Sequence, residues 1–239
     1  MKKSLSLLLL GPLFLASAIG AGGFEGKVTL RVSDQKNPAT TMTFSLKEGF
    51  SRLDMTAEGT RAGVIYDVGK RQITILMLDQ KMYMTQAMPN PGAAAAGRAE
   101  NAAGETLEIT TAREKILGYD CVKYLARSKA GTSEIWVTDQ LGAFLGFGGP
   151  PAGGSARGPG GAAPAPQGWE EAIAGKGVFP LRVITTSAGR ESFRLEATAV
   201  EKMPLPPALF SPPPDFSNLS EMMRSMGLPD GIPGLPGGR

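Results

Sequence analysis

The chain has 239 residues, with 25 Lys and Arg against 22 Asp and Glu, no histidine and one cysteine. Lacking histidine, it lacks the commonest general base and metal ligand, and a single cysteine excludes an intrachain disulfide. Setting aside Lys2 and Lys3 lowers the formal charge from +3 to +1. The other positives are scattered, so no electrostatic footprint for nucleic acid exists.

The N-terminus comes first in the chain and reads most sharply. Lys2 and Lys3 precede an almost wholly apolar run from Leu5 to Ile19, followed by small residues at Gly20 and Ala21. A charged start, a short apolar stretch and a small-residue zone predict a cleavable signal peptide over residues 1–21, with cleavage between Ala18 and Gly23. A bilayer span needs about 20 apolar residues, and this run is shorter, with Gly11-Pro12 in its middle. No twin-Arg pair is present, and no cysteine stands where a lipid anchor would attach. No later apolar run is long enough to span a membrane. The expectation is a soluble mature protein, periplasmic or secreted.

From Phe24 to about Met203 apolar residues recur with period two, the mark of half-buried strands. Phe24, Gly26, Val28, Leu30 and Val32 alternate with Glu25, Lys27, Thr29 and Arg31. The pattern returns in Met42/Phe44/Leu46, Val64/Tyr66/Val68, Ile73/Ile75/Met77 and Met82/Met84. It continues in Leu107/Ile109, Val122/Tyr124, Ile135/Val137, Leu181/Val183 and Phe193/Leu195/Ala197/Ala199. Turn residues separate these runs at Lys47-Glu48-Gly49, Glu58-Gly59, Gly69-Lys70, Asp79-Gln80, Ala130-Gly131 and Ala188-Gly189-Arg190. Short strands joined by tight turns predict a mainly β, antiparallel meander, long enough to bury a single core.

Two Gly/Pro/Ala-rich stretches, residues 89–104 and 146–168, interrupt it and read as flexible loops. Trp169-Glu170-Glu171-Ala172-Ile173 then reads as a short helix. Its paired acids suit the positive end of a helix dipole better than an acid/base pair. Pro204 to Pro214 reads as an extended connector. Residues 217–228 form the next unit, with a helix from Leu219 to Met226, an Asn218/Glu221 capping box and Gly227 as its stop. Leu219, Met222, Met223 and Met226 share one face of that helix, which either closes the core or forms a lid over a pocket. The tail, residues 229–239, holds three Gly-X-Y triplets, too few for a collagen helix, and reads as disordered.

Candidate chemistry is sparse. No GxSxG, Walker loop, CxxC or HExxH pattern occurs, and the expectation is a protein that is not an enzyme and carries no cofactor. Eleven methionines are present, with Met82 and Met84 flanking Tyr83. Clustered thioethers suit Cu(I), but they equally fill irregular apolar cavities, so no metal site is assigned. Cys121 has only Lys123 nearby to activate it, and a buried inert thiol is expected.

Three segments carry a resemblance: Phe24-Glu-Gly-Lys-Val; Ile116-Leu-Gly-Tyr-Asp-Cys-Val-Lys-Tyr leading into Glu134-Ile-Trp-Val-Thr-Asp139; and Phe179-Pro-Leu-Arg-Val followed by Ala208-Leu-Phe210 and Pro212-Pro-Pro-Asp-Phe216. In this order they resemble an exported bacterial family known only as a domain of unknown function. More distantly, they resemble the LolA/LolB-like lipoprotein carriers. The likeness covers residues 24–216 as a single domain. It implies a curved antiparallel sheet, an incomplete half-open barrel around one or two short helices, enclosing an apolar concavity that in the carriers shelters acyl chains. The long loops and proline-rich tail depart from the carriers.

The expected function is a periplasmic, non-catalytic binding module for an apolar ligand such as a lipid or lipoprotein acyl chain. Phe44, Leu53, Ile75, Met82, Met84, Phe193 and Leu195 are the candidate lining, with Leu219, Met222, Met223 and Met226 as the lid. The alternative is a structural or protein-interaction component of the cell envelope, with a filled barrel and no small-molecule ligand.

Overall fold

The computed structural model describes residues 23–35, 38–57, 59–88, 106–128, 131–147 and 168–227. The expected signal peptide, the tail, residues 89–104 and nearly all of residues 146–168 lie outside these. The period-two runs become twelve strands in one sheet. They are β1 (Gly26–Asp34), β2 (Thr40–Lys47), β3 (Phe50–Ala57), β4 (Thr60–Asp67), β5 (Gln72–Met77) and β6 (Met82–Ala87), then β7 (Thr106–Ile116), β8 (Tyr119–Ser128), β9 (Gly131–Thr138), β10 (Phe179–Ser187), β11 (Arg190–Lys202) and the short β12 (Ser217–Asn218).

The strand order is β12-β6-β5-β4-β3-β2-β1-β11-β10-β9-β8-β7. The sheet therefore consists of two antiparallel meanders, β1–β6 and β7–β11, sewn together where β1 pairs with β11. It does not close, since β7 and β12 stand at opposite ends. The expected mainly β, half-open antiparallel architecture is what forms.

Side-chain alternation gives this sheet an apolar inner face, and the register carries it across strands. Phe44 stands opposite Val28 and Leu53, Leu53 opposite Val64, Val64 opposite Ile75, and Ile75 opposite Met84. Across the seam Val32 stands opposite Leu195, followed outward in the second meander by Val183, Ile135, Tyr124 and Ile109. The helix α1 (Trp169–Ile173) fills the centre of that face and buries both Trp169 and Ile173. Five residues are too few for a helix to stand by its own hydrogen bonds, so α1 exists through this packing.

The outer face of β3–β6 is covered by the proline-rich segment after β11. Leu205 and Phe210 pack there with Ile65 and Leu76 in a second core, supported by Phe50, Tyr83 and Phe216. Far from a purely extended connector, the segment contains a 3-10 turn at Pro207–Phe210. It is tied down by polar contacts at several points. The Glu25 carboxylate accepts from Lys47 Nζ at 2.8 Å and from the Leu205 N–H at 2.6 Å. Arg52 donates to the Leu209 carbonyl at 2.9 Å while pairing with Asp54, and Lys81 pairs with Asp215. The strap ends by adding β12 in parallel to β6 and leads into α2 (Leu219–Ser225).

Two local readings differ from the sequence pattern. Val68, grouped with Val64 and Tyr66, lies in the β4–β5 turn and is exposed, because β4 ends at Asp67. The β7–β8 hairpin turns at Leu117-Gly118, where φ is 50° and 88°. A two-residue turn with both central φ angles positive matches the twist of the flanking strands. It has no sequence signature here because a leucine occupies the position that asparagine favours.

Candidate functional site

The inner face is built in two zones, and the candidate lining residues divide between them. At the centre, Phe44, Leu53 and Leu195 are 0% exposed and Phe193 is 2% exposed. They belong to a packed aromatic body completed by Phe144, Phe147, Trp169 and Phe179. Phe44 meets Phe179 edge-on at 5.4 Å and Phe144 at 5.6 Å between ring centroids. Trp169 is stacked between Phe144 at 5.6 Å and Phe193 at 6.1 Å. Phe144 and Phe147 were not among the sequence candidates. They sit in irregular chain just after β9, in a Gly-rich context that reads as loop, and the Phe144 N–H bond to the Val178 carbonyl holds that chain in place.

Outward from the seam the same face stays apolar but loses its cover. Ile75, Met82 and Met84 on β5 and β6 are half-buried, and so are Leu107, Tyr124 and Ala126 on β7 and β8. Ile109, last in its cross-strand row, is 58% exposed. The expected lid helix rides the β6 edge instead of joining the first core. It buries none of its residues fully. Leu219 and Met223 are half-buried, while Met222 and Met226 are exposed. Its capping is as predicted in part: the Asn218 side chain accepts from the Ser220 and Glu221 N–H groups, and Gly227 follows with φ 72°.

Polar groups on the inner side are few. Ser133 and Thr185 share a buried hydroxyl bond of 2.8 Å. The buried Trp169 Nε1 has no hydrogen-bond partner among the described residues. Glu170 Oε2 and the Tyr66 hydroxyl converge beside Gly146, each within 4 Å of where a Cβ would stand there. Cys121 is fully buried, with its Sγ 3.5 Å from the Tyr119 carbonyl. Burial pushes its thiol above the ordinary range, which makes it a poor nucleophile. Among the described residues, no group of three His, Cys, Asp or Glu could hold a metal ion, and no helix is long and apolar enough to cross a membrane.

The outer face of the second meander is ionic instead. Lys123 pairs with Glu134 and lies over the Trp136 ring, and Arg182 bridges Glu114 and Glu196. These pairs are part-buried, each keeping a carboxylate open to water, so they add little stability.

No curated protein matches the sequence. Among solved structures the chain is similar to an uncharacterized conserved protein from Thermus thermophilus, at 9% identity and TM-score 0.46, over 82% of this chain and 90% of that one. It is also similar to PNGF-II, at 14% identity and TM-score 0.45, covering 78% of this chain and 30% of that one, so it spans under a third of the PNGF-II chain. A LolA superfamily protein from Nitrosomonas europaea matches at 11% identity and TM-score 0.32, over 80% of this chain and 91% of that one. Superpositions this loose say nothing of function. The sequence itself is matched from residue 24 to 216, the whole span of β1–β11 and the strap, by the model of DUF4412, a domain of unknown function, and the chain belongs to that family.

Proposed function

We propose that the protein is an exported, non-catalytic binding module whose inner face takes an apolar ligand such as a lipid acyl chain. The supporting observation is the gradient along the cross-strand rows. The apolar face continues past the packed centre to Ile75 and Met84 on one wing and to Tyr124 and Ile109 on the other, where it is half-buried or exposed. A sheet facing only water on these strands would carry polar residues there. Flexible thioethers beside branched and aromatic groups suit a shape-tolerant site. The ligand is read as lying along the wings, because aromatic rings occupy the centre. Periplasmic placement rests on the charge and hydropathy pattern of residues 1–21.

The test is native mass spectrometry on mature protein purified without detergent, paired with titration of a fluorescent fatty acid. A releasable lipid-sized mass, and probe binding that Ile109→Glu weakens at least tenfold, is the expected result. A clean apo mass with no probe binding would refute the reading. It would favour the alternative, an envelope interaction component, for which the aromatic filling of the barrel centre is the supporting observation. Pull-down from envelope extracts would then be the measurement to make.

A further inference from the structure

Methionine is concentrated on the β5–β6 hairpin in a way that apolar lining alone does not require. Met77 and Met82 are direct cross-strand partners at the turn end of the hairpin, and Met84 lies two residues beyond Met82 on the same face. Strand positions favour β-branched and aromatic residues, yet three neighbouring inner positions here are thioethers.

The register sets their spacing. Directly opposed Cβ atoms stand about 5 Å apart and diagonal ones about 7–8 Å, while residues two apart on a strand are separated by about 7 Å. The centre of that triangle lies about 4 Å from each Cβ. A methionine sulfur stands two bonds beyond Cβ on an unbranched chain, so all three can turn toward one point. Met77 is 4% exposed, whereas Met82 and Met84 are half-buried, so the point is reachable from the side of Met82 and Met84.

We infer that Met77, Met82 and Met84 form a three-thioether site for a soft monovalent cation of the Cu(I) or Ag(I) class. Neutral thioethers select soft ions over Zn(II) or Mg(II). No histidine exists anywhere in the chain to compete as a ligand, and Cys121 is buried on β8 in the other meander. Thiolate, imidazole and carboxylate ligands must lose a proton before binding, but a thioether has none to lose. Affinity at this site is therefore flat with pH where other protein sites weaken in acid. The site does not depend on the apolar-ligand reading.

The experiment is an anaerobic titration of the full mature chain, labelled with methyl-13C methionine, first with Ag(I) and then with Cu(I) held by a competing chelator. The expected result is one equivalent bound, with the Met77, Met82 and Met84 methyl signals moving together. Met55 and Met42, which lie beyond Ala62 in the cross-strand row that starts at Met77, stay in place, as does the exposed Met203. Affinity is unchanged between about pH 7 and pH 5. The Met82→Leu/Met84→Leu protein keeps its far-UV circular dichroism and loses the metal at least tenfold, and Met84→Leu alone gives a smaller loss should the double variant fold poorly. Shifts spread over Met203 and the α2 methionines, equal binding by the leucine variants, or affinity that falls in acid would each overturn the site.

Discussion

Trp169→Ala is the most direct probe of whether α1 holds the two meanders together. The indole is 1% exposed, stacked on Phe144 and Phe193 and edge-on to Phe147 at 6.1 Å. Truncating a buried tryptophan costs about 3–5 kcal/mol in transfer and cavity terms, and losing aromatic stacking places this site in the upper half of that range. A domain of this size has about 5–15 kcal/mol in total, so the variant should remain folded but lose about 8–20 °C in melting temperature. Trp169→Phe makes the comparison sharper. It keeps a ring between Phe144 and Phe193 and removes the unpartnered Nε1–H, whose burial costs about 1–3 kcal/mol. That gain offsets the void left by the smaller ring, and the net change should stay within about 1 kcal/mol of wild type. Thermal and urea unfolding followed by far-UV circular dichroism measure both. An Ala variant melting within about 2 °C of wild type would show that α1 does not anchor the core. A Phe variant as damaged as Ala would show that the indole N–H is satisfied after all.

Three further outcomes follow from named contacts. Leu117→Asn restores the Asn-Gly pair that this turn favours and relieves a leucine held at φ 50°; it should raise stability by about 1 kcal/mol, read from thermal melting. Glu25 is held below its ordinary value of 4.5, first by the Leu205 N–H and then by Lys47. Its contribution is therefore complete above that value and disappears as pH falls through the lowered one. Glu25→Gln should melt below wild type at neutral pH, with the gap closing on acidification; a gap independent of pH would refute the pairing. Cys121 should resist a thiol-specific reagent in the native protein and react fully in denaturant, and rapid native labelling would contradict its burial.

The strands, their faces and the helix starts were legible because period two and capping residues are local signals. Phe44, Leu53, Ile75 and Met84 do share one cross-strand row with Val64, and α1 starts at Trp169 as read. Depth along that row was not legible. Whether an inner residue is core or rim depends on what sits over it, and here that is Phe144, Phe147 and α1, brought in from an irregular segment with no periodicity. The strap was missed as a packing element for a related reason. Leu205, Phe210 and Phe216 are isolated apolar residues among prolines, and their partners, Ile65 and Leu76 with Phe50 and Tyr83, lie on the outer face of strands far away in sequence.

The β1–β11 seam also sets an order of assembly. Within each meander, paired strands follow one another in sequence, whereas the seam joins Gly26 to Lys202, across most of the chain. Local pairings close quickly and distant ones late. As the chain emerges, β1 can find β2 at once but has no partner on its other side until Arg190–Lys202 arrives. Any interruption before that point leaves the row Val28, Leu30 and Val32 without half its shelter, a partly folded species prone to aggregation and proteolysis.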